Sequence, residues 1–114
     1  MYKIVPVAAW MVAEREGALR GSPIDERDGF IHLSAADQVA ETASRHFAGQ
    51  DDLRLVAVET DGLDVRWEPS RAGALFPHLY GPLRLAAVRR VEVLALDARG
   101  VHRLPPSLAG PLEP

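Results

Sequence analysis

Short apolar runs broken by turn residues organise this chain, with helical spacing dominating its first half and strand alternation its second. Tyr2 to Val7 is rich in β-branched residues and reads as a strand, with Pro6 at its end or on a sheet edge. From Ala8 to Glu16 the spacing of Ala9, Trp10, Ala13 and Gly17 predicts a helix, and Gly17 is its stop signal. Gly21 to Asp28, "GSPIDERD", reads as a polar connection with turn chemistry. Gly29 to Leu33 is a second strand. Ser34 then fits an S-x-x-D capping pattern with Asp37. Ala36, Val39, Ala40, Ala43 and Phe47 share one face of the helix that follows, which ends at Gly49.

The clearest strand is "LRLVAVE", Leu53 to Glu59, with Leu53, Leu55 and Ala57 on one face. Beyond Thr60 come short strands and turns: "VRWE", then "FPHLYGPL" broken at Gly81–Pro82, then Val88 to Leu96, and a further short strand over Val101 to Leu104. Leu83 to Val88 fits no single template. Helices first and strands later predict a single α+β domain over residues 1–104. Its sheet would be split and mixed or antiparallel, with two main helices near residues 8–16 and 35–48. Residues 105–114 form a proline-rich tail expected to be loose.

Composition narrows the function classes. The 114 residues are 47% hydrophobic and 25% charged, an ordinary globular balance. The net charge of -3 argues against a general nucleic-acid or anionic-membrane binder. The absence of cysteine removes disulfides, thiolate metal sites and a cysteine nucleophile, and suits a cytoplasmic protein. "IVPVAAWMVA" near the start has the length of a signal-peptide core. Pro6 interrupts it and Glu14–Arg15–Glu16 follow at once, so no leader is expected. No run reaches the roughly 18 apolar residues of a membrane span.

Five residues stand out as candidate chemistry. Alternation puts His32 on the face opposite Ile31 and Leu33, so apolar neighbours in a core would turn His32 toward a cleft. A histidine that merely ties down a loop fits the same pattern. Ser34 is explained fully by helix capping, and no G-x-S-x-G elbow marks it as a nucleophile. His78 and Tyr80 lie two apart and share a strand face with Phe76, where they could grip a polar or planar ligand or form a half-buried pair. Glu68 follows Trp67, and burial beside that ring would raise its pKa. Glu59 is a rival acid. Arg27, Arg66 and Arg71 could meet phosphate. No histidine spacing supports a metal, and no glycine-rich phosphate loop is present.

"GFIHLS", "DLRLVAVETDGL…WE" and "LFPHLYGPL", taken in that order across residues 2–96, resemble the signature of domain-of-unknown-function family 952. That family in turn looks like a compact relative of the ADP-ribosyltransferase fold, which grips NAD in a central cleft. "IHLS" before a helix is similar to the V-H-L-S segment of RNA 2′-phosphotransferases, whose histidine belongs to the ligand cleft. The resemblance implies that His32 and Ser34 line such a cleft, with His78 and Tyr80 on its opposite side. It implies His32 as the residue that orients the ligand and an acid that steadies positive charge on a ribose, for which Glu68 is taken first and Glu59 is the rival. One departure is clear: Lys3 stands where those enzymes place a cofactor-contacting histidine. The expected function is therefore a cleft for a nucleotide-like or phosphate-bearing small molecule, with NAD-linked ADP-ribosyl or phospho group transfer as the implied chemistry. The competing expectation is a non-catalytic binding module that keeps the cleft alone.

Overall fold

The computed structural model describes residues 1–70 and 73–108. In chain order the elements are β1 (Tyr2–Pro6), α1 (Val7–Glu16), β2 (Ala18–Leu19), α2 (Pro23–Asp28) and β3 (Ile31–His32). A 3-10 turn (Ala36–Gln38) leads into α3 (Val39–His46). Then come β4 (Leu53–Val58), β5 (Val65–Pro69), β6 (Leu75–Leu79), β7 (Leu83–Arg84) and β8 (Val88–Leu94). They build three sheets, ordered β1-β4-β8, β2-β7 and β3-β6-β5. All these pairings are antiparallel. The α+β class expected from the residue pattern is the class that forms.

The core explains why "LRLVAVE" carries so strong a signal. As the central strand of its sheet, β4 is covered on both faces. Val56 and Val58 pack with Trp10 and Ala13 of α1. Leu53 and Leu55 pack on the other side with Val39 and Ala43 of α3. Leu108 joins that second cluster, so the segment expected to be loose is anchored at least to there. Residues 109–114 lie outside the described residues.

Among the described residues the sheets β1-β4-β8 and β3-β6-β5 are joined by one backbone bridge, Tyr2 to Ser34, with both N–H···O bonds 2.8 Å long. On either side of that bridge β1 and β3 belong to different sheets. Between them sits α2, in the stretch expected to be only a polar connection. Its start follows from local chemistry. Pro23 occupies the first turn, where its missing N–H costs no helical bond. Ser22 and Asp25 cap each other: Ser22 Oγ accepts from the Asp25 N–H, and Asp25 Oδ2 accepts from the Ser22 N–H at 2.8 Å. Gly29, at φ 86°, closes the helix.

The capping box therefore belongs to Ser22 and not to Ser34. The helix expected over residues 35–48 is a 3-10 turn running into α3, and its first free N–H, on Ala35, is held by Gln38 Oε1 at 3.0 Å. Ser34 caps nothing; its buried hydroxyl meets Thr42 Oγ1 at 2.9 Å. The two S-x-x-D stretches are alike in pattern, but Ser34 is held in the backbone bridge to Tyr2. Ser22→Ala should accordingly cost about 1 kcal/mol in a denaturant melt. Ser22→Asp should stay near wild type.

Candidate functional site

Strand alternation aims one face of the β3-β6-β5 sheet at the site. Ile31 and Leu33 enter the core while His32 turns the other way. His32 and His78 are direct partners in the β3–β6 register, and His78 pairs with Arg66 of β5. The histidine rings stand edge to face with centroids 5.3 Å apart. The two histidines were expected on opposite sides of a cleft. They are instead neighbours on one sheet face, because β3 and β6 pair directly.

Each imidazole is held by a carboxylate. His32 Nδ1 lies 2.5 Å from Asp25 Oδ1, and Nε2 lies 3.2 Å from Asp28 Oδ2. Asp25 is 2% exposed and also accepts the His32 backbone N–H at 3.1 Å. Lys3 of β1 completes the cluster, its Nζ 3.0 Å from Asp25 Oδ2. Burial alone would push the Asp25 carboxyl up. The hydrogen bond from His32, the Lys3 charge and the Ser22 N–H outweigh it and hold the group well below the usual carboxylate range. Asp25 is thus ionised and accepts only, so Nδ1 of His32 is the donor in their bond. Gly21 leaves room for this arrangement. At φ +106°, a Cβ there would lie 2.7 Å from Asp25 Cβ.

The second cluster centres on a buried histidine and a partly exposed carboxylate. His78 is 3% exposed and its Nδ1 lies 2.8 Å from Glu68 Oε1, which also accepts the Tyr80 hydroxyl at 2.8 Å. Nε2 of His78 is buried without a hydrogen-bond partner among the described residues. Phe30 stacks on the ring at 4.0 Å, and the Arg66 guanidinium, paired with Asp64, lies 4.2 Å above the Tyr80 ring. Glu68 had been expected to rise beside Trp67. Trp67 sits on the opposite face of β5 and is largely exposed. The hydrogen bonds from His78 and then Tyr80 lower the Glu68 carboxyl instead.

A cavity of about 470 Å³ opens beside the first cluster. Lys3, Asp25, Asp28, His32 and Ser34 line it together with Thr42, Phe47 and Phe76. Among the expected site residues, His32 and Ser34 therefore reach the cavity, while His78, Tyr80 and Glu68 form the neighbouring wall-side cluster. Glu59 is elsewhere, paired with Arg89. Arg27 is exposed beside Asp28, and Arg71 lies outside the described residues. Among the described residues no group of three or more His, Asp or Glu side chains could hold a metal ion. Sequence reasoning missed Asp25, Asp28 and Phe30 as site residues. The S-P-x-D start of α2 was the one signal that could have pointed to Asp25.

Fold and site together define a small antiparallel α+β domain with a carboxylate-anchored histidine at a cleft. The chain belongs to the family described as "Protein of unknown function (DUF952)", whose model matches residues 4–91. It is similar to the crystal structure of protein CC0527 from Caulobacter crescentus, with 51% identity, 95% of this chain and 96% of that chain covered, and a TM-score of 0.88. The solution NMR structure of CC0527 also matches, at 51% identity over 90% of each chain with a TM-score of 0.82. No curated protein matches the chain. Among the described residues no helix is long and apolar enough to cross a membrane.

Asp25 sets an acid limit on stability. Its folded pKa lies below the unfolded value, so its contribution is complete above the ordinary carboxylate pKa of about 3.9 and is lost as pH falls from there. Thermal melts between pH 7 and pH 2 should show this loss, and Asp25→Asn should flatten the acid limb. At pH 7 Asp25→Asn should cost on the order of 3–5 kcal/mol, because it leaves Lys3 buried without its counter-charge.

Proposed function

We propose that the cleft binds a nucleotide-like small molecule, with His32 as its orienting group and Ser34 on the same wall. The observation that carries this reading is the Asp25–His32 pair at the edge of a cavity large enough for such a ligand. Charge on this wall suits the ribose hydroxyls of such a ligand and not its phosphates. Asp25 and Asp28 face the cavity, and the one lysine there is already paired to Asp25. Carboxylates accept hydroxyl protons and repel phosphate oxygens. The resemblance of "IHLS" to a segment of RNA 2′-phosphotransferases supports NAD-linked ADP-ribosyl or phospho group transfer as the class of chemistry, which we place in a cytoplasmic protein.

A binding module without chemistry is the second reading, and one observation favours it. Glu68, the first candidate for a catalytic acid, is engaged by His78 and Tyr80 and does not line the cavity. For Glu68 to steady charge on a ribose it would have to exchange those partners for the ligand.

Histidine NMR signals, followed while NAD, ADP-ribose and inorganic phosphate are added in turn, test the binding claim. His32 should respond to NAD and ADP-ribose and much less to phosphate, and His32→Ala should weaken binding by about tenfold, the equivalent of roughly 1.4 kcal/mol. If neither nucleotide moves the His32 signals, the reading fails. Chromatography of NAD after long incubation separates the two versions: consumption supports transfer, and unchanged NAD in a complex that binds it supports the module.

A further inference from the structure

Lysine and arginine together number 13, and Lys3 is the only lysine among them. Arginine is better suited to an ion pair, since its guanidinium is always charged and meets a carboxylate with two parallel donors. Lysine alone can give up its proton and become a nucleophile. This single amine is not on the surface, where lysines ordinarily sit. It is 8% exposed, on β1, and it lines the 470 Å³ cavity. We propose that Lys3 is the nucleophilic amine of a covalent site, which forms an imine with a small aldehyde or ketone bound in the cleft.

The surroundings of Lys3 suit that role. Asp25 keeps the Ser22 N–H, the His32 N–H and His32 Nδ1 as donors, so it stays satisfied when Lys3 gives up its charge. Burial pushes the Lys3 ammonium below the ordinary lysine value, against the opposing pull of Asp25. Val5, Ala9 and Leu19 line the same cavity with apolar surface, and Asp28 and His32 line it with polar groups. In the reaction the Lys3 ammonium first releases one proton to solvent, and the freed Nζ lone pair then forms the C–N bond while the carbonyl π pair moves to oxygen. One nitrogen proton passes to that oxygen. The hydroxyl then departs as water with the second nitrogen proton, as the C=N bond forms. Amine and carbonyl give imine and water, so no oxidant or reductant is needed.

The proposal does not rest on the nucleotide reading, and its test contains no nucleotide, so either can fail alone. The protein is treated at pH 7 with glycolaldehyde and sodium cyanoborohydride, beside a short lysine-containing reference peptide in the same tube. Adducts are then located by peptide mapping. A reduced adduct on Lys3, formed at least about tenfold faster than on the reference lysine, is the expected result. In urea, Lys3 should label at the reference rate, which shows that its adduct is detectable. Lys3→Arg should leave only adduct on the Met1 amine. The central readout is on the wild-type chain and so does not depend on how that variant folds. If Lys3 of the folded chain labels no faster than the reference, or only after unfolding, it is a structural cation and the proposal is overturned.

Discussion

A buried ionised carboxylate, Asp25, is the interaction on which this architecture turns. Such a group is tolerated only when its charge and lone pairs are met by donors. Asp25 meets that demand from three directions. Its own helix provides the Ser22 N–H, β3 provides the His32 N–H and Nδ1, and β1 provides Lys3. These are the pieces that have to be brought together where the two larger sheets part. One side chain thus starts α2, spans the split beyond the Tyr2–Ser34 bridge and sets the direction of the His32 ring.

The two carboxylate–histidine pairs differ in environment more than in chemistry. Asp25–His32 borders the cavity, while Glu68–His78 lies under Phe30. The difference arises from where each histidine sits in the sheet. His32 is on the edge strand β3, next to the gap filled by α2, and His78 is on the central strand β6, flanked on both sides. A stacked phenyl ring then covers what the flanking strands leave open. Nε2 of His78, buried and without a partner among the described residues, is a cost of that enclosure, since a polar atom away from water without a hydrogen bond destabilises the fold.

What the chain determined by itself is local. The apolar strand "LRLVAVE" became the central strand with both faces covered, and alternation in "FIHLS" turned His32 away from Ile31 and Leu33. The same rule put Tyr80 on the face of His78, where both reach Glu68. Periods of two and of 3.6 residues report burial directly, so these features were legible. Tertiary structure alone decided what meets across the fold. Nothing in the spacing of Lys3, Asp25 and His32 announces a cluster, because each contact joins different elements through folding. A polar stretch such as "GSPIDERD" looks like a loop for the same reason: its short helix buries Asp25 in place of an apolar stripe, and no hydrophobic period can record that. Ser34 shows the converse, a cap pattern that chain direction at the Tyr2 bridge overrode. Sequence patterns encode which way a side chain faces, and only the packed chain decides which charges end up close enough to need one another.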